Sequence, residues 1–411
     1  MAEGPIAIEN ARIVTCEATA DGGPRRGGAM RELRTVARGH VIVEHGRIAA
    51  MGDGPAASRA VAMRIDARGR VLMPAAVDCH THACWAGERW AEWEMKRAGA
   101  SYLDILKAGG GILSTVSAVR AAPREALAAQ LAERLAEMRA TGTGAVEVKT
   151  GYGLDAATEL KMLEAILAVR RVWPAPVVPT LLLGHAVDKD NPAQLEDMCA
   201  LLERVADRVP GMAVDAFCEE GAWTVDMCRT LFSKARRLGF DIRVHADQFN
   251  ALGGLELAIE LGARSVDHLE ASTPQGLAAL AESRTIGVAL PACGFALDGR
   301  FADGRSFVDR GGALAVASNW NPGSAPSPSA QFAAALASRH MRLTAAEAIC
   351  AVTWNAACVL GLQHETGAIA PGMRADLQLL PHRDERAFVH EVAGPGPDLT
   401  VLGDDLSVRV A

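Results

Sequence analysis

Two histidines separated by one residue are the clearest chemical signal in the sequence. His80 and His82 flank Thr81 in the segment DCHTH. On a β-strand, residues i and i+2 point to the same side, so the two imidazoles can converge on one metal ion. Two packing or surface histidines would give the same short pattern. The positions of the other histidines therefore have to decide between the two interpretations.

Three further histidines favour a metal site. His185, His245 and His268 each fall at or just beyond the end of a predicted strand. Neutral imidazoles at one rim of a sheet suit Zn²⁺ or Fe²⁺. We predict one divalent metal ion, with Zn²⁺ preferred over Fe²⁺. The other histidines are interpreted as solvated or structural, and these are His40, His45, His340, His364, His382 and His390.

Other reactive residues near the same strand ends have simpler explanations. Glu219 and Glu220 follow the fourth strand as a possible acid/base pair, but orienting a neighbour or capping a helix explains them better. Lys149 is a conceivable carbamylated bridge between two metals, but its strand position fits that role poorly, so we favour one metal. Three nearby cysteines are interpreted as buried small side chains, namely Cys79, Cys84 and Cys293.

The middle of the chain alternates predicted strands and helices, which favours a parallel sheet. The strands are predicted at 76–81, 145–149, 177–182, 214–217, 242–245, 265–268, 286–290 and 314–318. Helical patterns between them include 124–140, 157–171, 225–238 and 252–261. Eight strands with intervening helices over about 290 residues fit an α/β fold, the (β/α)8 TIM-type barrel, whose active sites lie at strand C-termini. A doubly wound sheet would need a nucleotide-binding glycine motif, which we do not find.

Both ends of the sequence are predicted to be rich in strands. Short strands are expected at 6–15, 39–43, 47–50 and 70–73, and again within 366–379 and 399–410. We therefore predict a small β-sandwich domain built from residues 1–72 and 366–411. Residues 73–365 would then form the barrel domain.

Composition excludes several classes of function. The 411 residues carry 42 Lys+Arg against 49 Asp+Glu, a net charge of −7, and 4% are aromatic. Without a basic cluster, nucleic acid is not an expected partner. The sequence shows no signal-peptide pattern and no apolar run long enough to span a bilayer, so no membrane partner is expected either. Nine scattered cysteines without a CxxC motif favour a reducing compartment, and we expect a cytoplasmic protein.

Eight segments carry a more specific signal, because several of them are long and all occur in register. They are HTHACWAGER (80–89), AGASYLDILKAGGGILSTV (98–116), VEVKTGYGLD (146–155), LLGHAV (182–187), FCEEGAW (217–223), HADQF (245–249), DHLE (267–270) and NPGS (321–324). Together they resemble the imidazolonepropionases of the metal-dependent amidohydrolase superfamily. The resemblance implies ring opening of 4-imidazolone-5-propionate by attack of metal-bound hydroxide on a ring carbonyl, a step in histidine breakdown. It also implies a homodimer.

The resemblance assigns roles to individual residues. The implied metal ligands are His80, His82, His245 and Asn319. The implied catalytic residues are His268, which would polarise the bound water or steady developing charge, Asn319, and Gln248, which would face the ring. The implied substrate contacts are Arg89, Tyr102, Tyr152, His185, Asn321, Gly323 and Ser324. Arg89 with a tyrosine supplies the cation and hydroxyl that a carboxylate tail needs.

Asn319 departs from the family pattern, which has Asp at the end of the eighth strand. An amide oxygen can ligate a metal weakly, but it cannot act as a base. Three interpretations stay open beside ordinary ring opening: a residue changed to trap a complex, an inactive binding homologue, or a subfamily acting on a related ring. For the last, a 2-thioxo-imidazolidinone (thiohydantoin) propionate, as in ergothioneine breakdown, would lose sulfide and leave a hydantoin. Ring opening is our first prediction.

Overall fold

The computed structural model describes residues 4–56, 60–99, 110–209 and 211–409. Its strands are β1 (Ile6–Val14), β2 (Thr35–Glu44), β3 (Arg47–Asp53), β4 (Met63–Asp66), β5 (Val71–Pro74), β6 (Ala76–Asp78), β7 (Thr143–Lys149), β8 (Val177–Gly184), β9 (Ala213–Cys218), β10 (Asp241–Ala246), β11 (Ser265–His268), β12 (Ile286–Ala289), β13 (Leu314–Val316), β14 (Asp376–Leu379), β15 (Leu399–Leu402) and β16 (Asp405–Val408).

The helices of the same described residues follow one another along the chain. They are α1 (Trp90–Arg97), α2 (Ile112–Ala121), α3 (Arg124–Ala140), α4 (Ala156–Arg170), α5 (Gln194–Val205), α6 (Val225–Arg237), α7 (Gly254–Glu260), α8 (Pro274–Glu282), α9 (Pro291–Leu297), α10 (Gly304–Asp309), α11 (Ala330–His340), α12 (Ala345–Ala351), α13 (Trp354–Leu360) and α14 (Ala387–His390), with a 3-10 helix at Gly27–Arg31. Across these ranges, no helix has the length and apolar character needed to cross a bilayer.

Strands β6 to β13 form the predicted barrel. They are hydrogen-bonded in chain order, and each neighbouring pair is parallel. Backbone hydrogen bonds just beyond the ends of β6 and β13 bring the first and last strands together. The Asn319 N–H donates to the His80 carbonyl at 3.0 Å, and the His82 N–H donates to the Trp320 carbonyl at 3.0 Å. The (β/α)8 fold class is therefore confirmed, and its closure places His80, His82 and Asn319 side by side.

Local sequence signals set the helices that surround the barrel. The Asp155 side chain accepts a hydrogen bond from the Thr158 N–H at the start of α4. Thr224 caps α6 in the same way, and Thr273 caps α8 just before Pro274. These side chains satisfy backbone donors that a helix leaves unpaired in its first turn. Each cap therefore fixes where a strand-to-helix connection at the barrel rim ends.

The chain termini build a second, mixed sheet. Its order is β16-β15-β14-β5-β1-β2-β3, with β4 paired to β1. The antiparallel pairing of β14 with β5 joins the two ends of the chain. The smaller β-rich unit predicted from both termini is present as this one sheet. Since β5 extends to Pro74, the sheet runs two residues past residue 72. The exact division into domains stays a prediction.

Candidate active site

Three histidines from two barrel strands converge at the C-terminal rim. His80 and His82 follow β6, and His245 lies in β10. One ligand atom from each lies within 4.8 Å of the others, and all three side chains are buried. The ring centroids of His80 and His245 are 4.5 Å apart. This spacing is suited to shared ligation of one ion.

Carboxylates behind two of these histidines fix their orientation. His80 Nδ1 donates to Asp267 Oδ2 at 2.6 Å, and His245 Nδ1 donates to Asp215 Oδ1 at 3.0 Å. Their Nε2 atoms are buried and without a hydrogen-bond partner among the described residues, as is Asn319 Oδ1. Carboxylate–histidine pairs of this kind orient metal ligands. Three imidazoles and an amide oxygen with unused lone pairs therefore fit a divalent metal ion.

Burial keeps these imidazoles in the ligand form. It lowers the pKa of His80 and His82 well below the ordinary value, and the positive charges around them act in the same direction. Burial also lowers the pKa of His245, although the Asp215 carboxylate opposes this shift. A neutral imidazole offers a lone pair, whereas a protonated one repels a cation.

A buried network of charges lies beneath the histidines. Lys149 Nζ donates to Glu147 at 2.6 Å and to Asp215 at 2.8 Å. The Arg243 guanidinium donates to Glu147 and Asp267, at 2.7 Å in both cases. Burial alone would raise the pKa of Asp215, but His245, Lys149 and Arg243 hold it well below its ordinary value. Lys149 therefore belongs to a buried ion network, and its contacts offer no support for a carbamate bridge.

Asn319 sits at the rim in a conformation that asparagine tolerates. Its φ is 55°, in the left-handed region where Asn and Asp are enriched. The Asn321 amide Nδ2 donates to the Asn319 carbonyl at 2.7 Å. Asn321 Oδ1 in turn accepts the N–H groups of Gly323 and Ser324 at 2.8 and 2.7 Å. One compact turn therefore links the candidate metal ligand to the rest of the NPGS segment.

His268 and Gln248 approach the histidines from neighbouring strands. The His268 ring centroid lies 5.5 Å from that of His245, and its Nδ1 is 3.3 Å from Glu270 Oε1. Gln248 Nε2 donates to the Cys293 thiol at 3.3 Å. The loop that carries Gln248 is held by Glu219, whose carboxylate accepts the backbone N–H groups of residues 249 and 250. Glu219 thus has a positioning contact rather than a place in the cavity lining.

A cavity opens over this cluster. It is lined by His82, Arg89, Ile112, Tyr152, His185, Phe217, His245, Gln248, His268, Asn319, Asn321 and Ser324. No Asp or Glu occurs among these lining residues of the described chain. Gly323 lies directly against Arg89, because a Cβ at this glycine would clash with Arg89 Nη1. Tyr102, a predicted substrate contact, lies outside the described residues.

Two polar rings on the cavity wall stay neutral. His185 Nδ1 donates to the Gly151 carbonyl at 2.9 Å, and its ring stacks on His82 at a centroid distance of 5.0 Å. Burial lowers the pKa of His185 to about 3, so its Nε2 presents a lone pair. Burial raises the pKa of Tyr152, which keeps the phenol as a hydrogen-bond donor.

Comparison with known proteins places this site in a family. The model of the amidohydrolase family matches residues 95–403. An imidazolonepropionase of Herpetosiphon aurantiacus is 43% identical over 401 residues, covering 94% of this chain and 93% of the relative. An imidazolonepropionase of Deinococcus radiodurans is 42% identical over 378 residues, covering 92% and 94%. The chain belongs to the amidohydrolase family, as an imidazolonepropionase-like member.

Solved structures support the architecture of this amidohydrolase. The 5-methylcytosine deaminase of Klebsiella pneumoniae superposes with a TM-score of 0.74 at 18% identity, covering 98% of both chains. A zinc-bound adenosine deaminase of Xanthomonas campestris gives 0.73 at 17% identity, covering 98% of this chain and 92% of that one. At these identities the likeness shows the fold alone. Family membership makes the protein a hydrolase and implies a divalent metal, which the histidine cluster can hold.

Four charged residues beneath the amidohydrolase site were not predicted from the sequence. They are Glu147, Asp215, Arg243 and Asp267, all buried. A signal was available, because in β7, β9, β10 and β11 these residues alternate with apolar ones. In a barrel strand this period of two separates side chains that face the helices from side chains that face the interior. Charged residues on the inner face therefore indicate a polar layer under the rim.

Proposed function

We propose that this amidohydrolase opens the five-membered ring of 4-imidazolone-5-propionate, a cyclic amide, using one divalent metal ion. Zn²⁺ is preferred over Fe²⁺ because the ligand set is three imidazoles and an amide oxygen. The observation that carries the proposal is a cavity with His82 and His245 at its base and Arg89 on its wall. This arrangement suits a neutral ring that carries one carboxylate. The imidazolonepropionase relatives support the same assignment.

The residues His80, His82, His245 and Asn319 would hold the divalent ion, which would lower the pKa of a water molecule and polarise a carbonyl when bound. The protein itself supplies the proton path. His268 takes the proton of the attacking water. Its Nδ1 side faces Glu270, so Nε2 is the base.

The same imidazole returns the proton as the ring opens. A C–O bond forms at the ring carbonyl and the ring C–N bond breaks. His268 then delivers its proton to the departing nitrogen, because amide nitrogen is too basic to leave as an anion. One water is consumed and no other reactant is needed.

The remaining cavity residues position the ring and its tail. His185 Nε2 accepts from a ring N–H, because His185 Nδ1 is engaged with Gly151. Gln248 faces the ring, with its amide nitrogen held by the Cys293 thiol. The carboxylate tail is assigned to Arg89, and the other substrate contacts are Tyr102, Tyr152, Asn321, Gly323 and Ser324.

A second reaction of the same class stays an alternative. No carboxylate lines the cavity in the part of the chain that the structure describes. Breaking a C–N bond needs an acid at the departing nitrogen, whereas hydrosulfide is a much weaker base and leaves without one. Attack of water on the C=S carbon of the thiohydantoin propionate would form a C–O bond, release hydrosulfide and leave a hydantoin. Sulfur removal would therefore depend less on proton delivery by His268 than ring opening does.

Product analysis separates these reactions. Purified protein is stripped with a chelator, reloaded with Zn²⁺ or Fe²⁺, and incubated with each propionate. We expect one metal ion per chain by elemental analysis, and the imidazolone product to gain one water. Sulfide release with a hydantoin product would reassign the enzyme to sulfur removal. Ligand binding without any product, for both rings and both metals, would make the protein a binding homologue.

Assembly and location are predicted independently of the chemistry. We propose a homodimer, which light scattering of the purified protein would test. A monomer at all concentrations used for catalysis would contradict it. A cytoplasmic location and the domain division at residues 72 and 366 also stay predictions, tested by cell fractionation and limited proteolysis.

A further inference from the structure

A buried carboxylate stands behind the arginine of the cavity. Glu92 lies in the first turn of α1, and its side chain is 7% exposed. It accepts hydrogen bonds from Arg89 Nε at 2.8 Å and from Arg89 Nη2 at 2.7 Å. A two-point contact of this geometry fixes the plane of the guanidinium as well as its position.

The same carboxylate has two more partners. Lys96 Nζ lies 2.8 Å from Glu92 Oε1, one helical turn further along α1. The backbone N–H of Gly111, at the start of α2, donates to Glu92 Oε2 at 2.9 Å. Arg89, Lys96 and Glu92 together carry two positive charges and one negative charge, so their net charge is +1. Without Lys96, Glu92 would neutralise Arg89.

The opposite edge of the guanidinium has no hydrogen-bond partner among the residues that the structure describes. A guanidinium has five N–H donors, and Glu92 takes one on Nε and one on Nη2. Nη1 makes no hydrogen bond to any other described residue, and it packs against Gly323. Because Gly323 belongs to the turn that starts at Asn319, Nη1 lies beside the segment that carries this candidate metal ligand.

We propose that Glu92 is a positioning residue that aims Arg89 Nη1 at the carboxylate of the substrate, with Lys96 preserving the single positive charge that pairs with it. The inference rests on the proposed function, because it assumes a ring bound over the histidines. The single net positive charge explains why the site would select a substrate whose tail carries one negative charge. An uncharged tail would leave the positive charge at Nη1 unpaired.

Calorimetric titration of the metal-loaded full chain tests this directly. The probes are hydantoin-5-propionate and its uncharged propionamide. We expect the wild type to prefer the carboxylate, and Glu92→Gln to lose about 10- to 100-fold of carboxylate affinity, the range for a hydrogen bond to a charged group. Propionamide affinity should change little. Glu94→Gln makes the same chemical change on an exposed position of α1 and should behave as wild type.

The outcomes separate this inference from the function it rests on. If the wild type binds neither probe, the ring-binding function itself fails. If the wild type prefers the carboxylate and Glu92→Gln keeps that preference, the function stands and the role of Glu92 is wrong. A variant that loses both probes or its bound metal has a general defect and also contradicts selective positioning. Lys96→Met, which removes a partly exposed partner, should lower carboxylate affinity by no more than about fivefold.

Discussion

The two sides of the histidine cluster differ in the kind of charge they hold. Beneath it, Glu147, Asp215 and Asp267 are fully buried with Lys149 and Arg243 between them. Above it, no lining residue of the described cavity is a carboxylate. Negative charge thus lies behind the candidate metal ligands, and on the other side a carboxylate, Glu270, contacts His268 without lining the described cavity. We therefore expect proton transfer in the cavity to depend on an imidazole, that of His268.

The strongest test of this division is the loss of His268. We expect His268→Ala to lower kcat by about 10²- to 10⁴-fold, the usual contribution of a general acid–base group. Metal content should stay at the wild-type level, because His268 is not among the three converging ligands. Steady-state kinetics and elemental analysis of the same preparation measure both. A kcat within threefold of wild type would show that another group moves the proton.

Placing a carboxylate on the reacting side should change which bond breaks. Asn319→Asp adds a potential acid/base group at the rim, in a conformation that Asp also tolerates. We expect imidazolone opening to rise by about 100-fold relative to sulfide release from the thiohydantoin, because C–N cleavage would gain a second acid/base group beside His268, whereas hydrosulfide leaves without an acid. A mixture of both rings, with product masses and sulfide measured together, gives the ratio. An unchanged ratio would show that the absence of a carboxylate does not govern the reaction.

Removing a carboxylate from beneath the histidine cluster should lower the affinity for the metal ion. In Asp267→Asn the acceptor of His80 Nδ1 is weakened, and we expect a metal affinity about 10- to 100-fold lower. Competition with a chelating dye measures it. Asp241→Asn is the matched control, since Asp241 lies at the start of β10 and pairs with Arg264 away from the site. Equal metal affinities in the two variants would show that Asp267 does not orient His80 for metal binding.

The convergence of the rim histidines could be predicted from the sequence, whereas the buried charged residues beneath them were not predicted. His80 and His82 are two residues apart, so their side chains were predicted to point to the same side of a strand. His245 and His268 lie at the ends of predicted strands, and in a barrel all strand ends of this kind lie at one rim. No local pattern tells which inward side chain will meet which partner across the barrel, as Arg243 meets Glu147. The Glu92 contact also depends on how α1 packs, so only the assembled fold reveals it.

The smallest expected effect concerns a histidine on the reacting side. The folded-state pKa of His185 is about 3, below the ordinary value near 6.5 of the unfolded chain. Between these values the unfolded state binds a proton that the folded state does not, so wild-type stability falls as the pH drops. The contribution is about 1.4 kcal/mol per pH unit. It should be absent in His185→Gln, whose amide can still donate to the Gly151 carbonyl.

Urea unfolding of the metal-free proteins at pH 7, 6 and 5 measures the difference between the two curves. The proteins are metal-free because protons and a bound metal ion would compete for the histidines. This competition would add to the change of the unfolding free energy with pH. Near pH 7 the two proteins should respond to pH alike, and below pH 6 the wild type should lose stability faster. Parallel curves down to pH 5 would mean that His185 accepts a proton in the folded state. The cavity would then admit a positive charge on its wall, and His185 would be a second proton carrier beside His268.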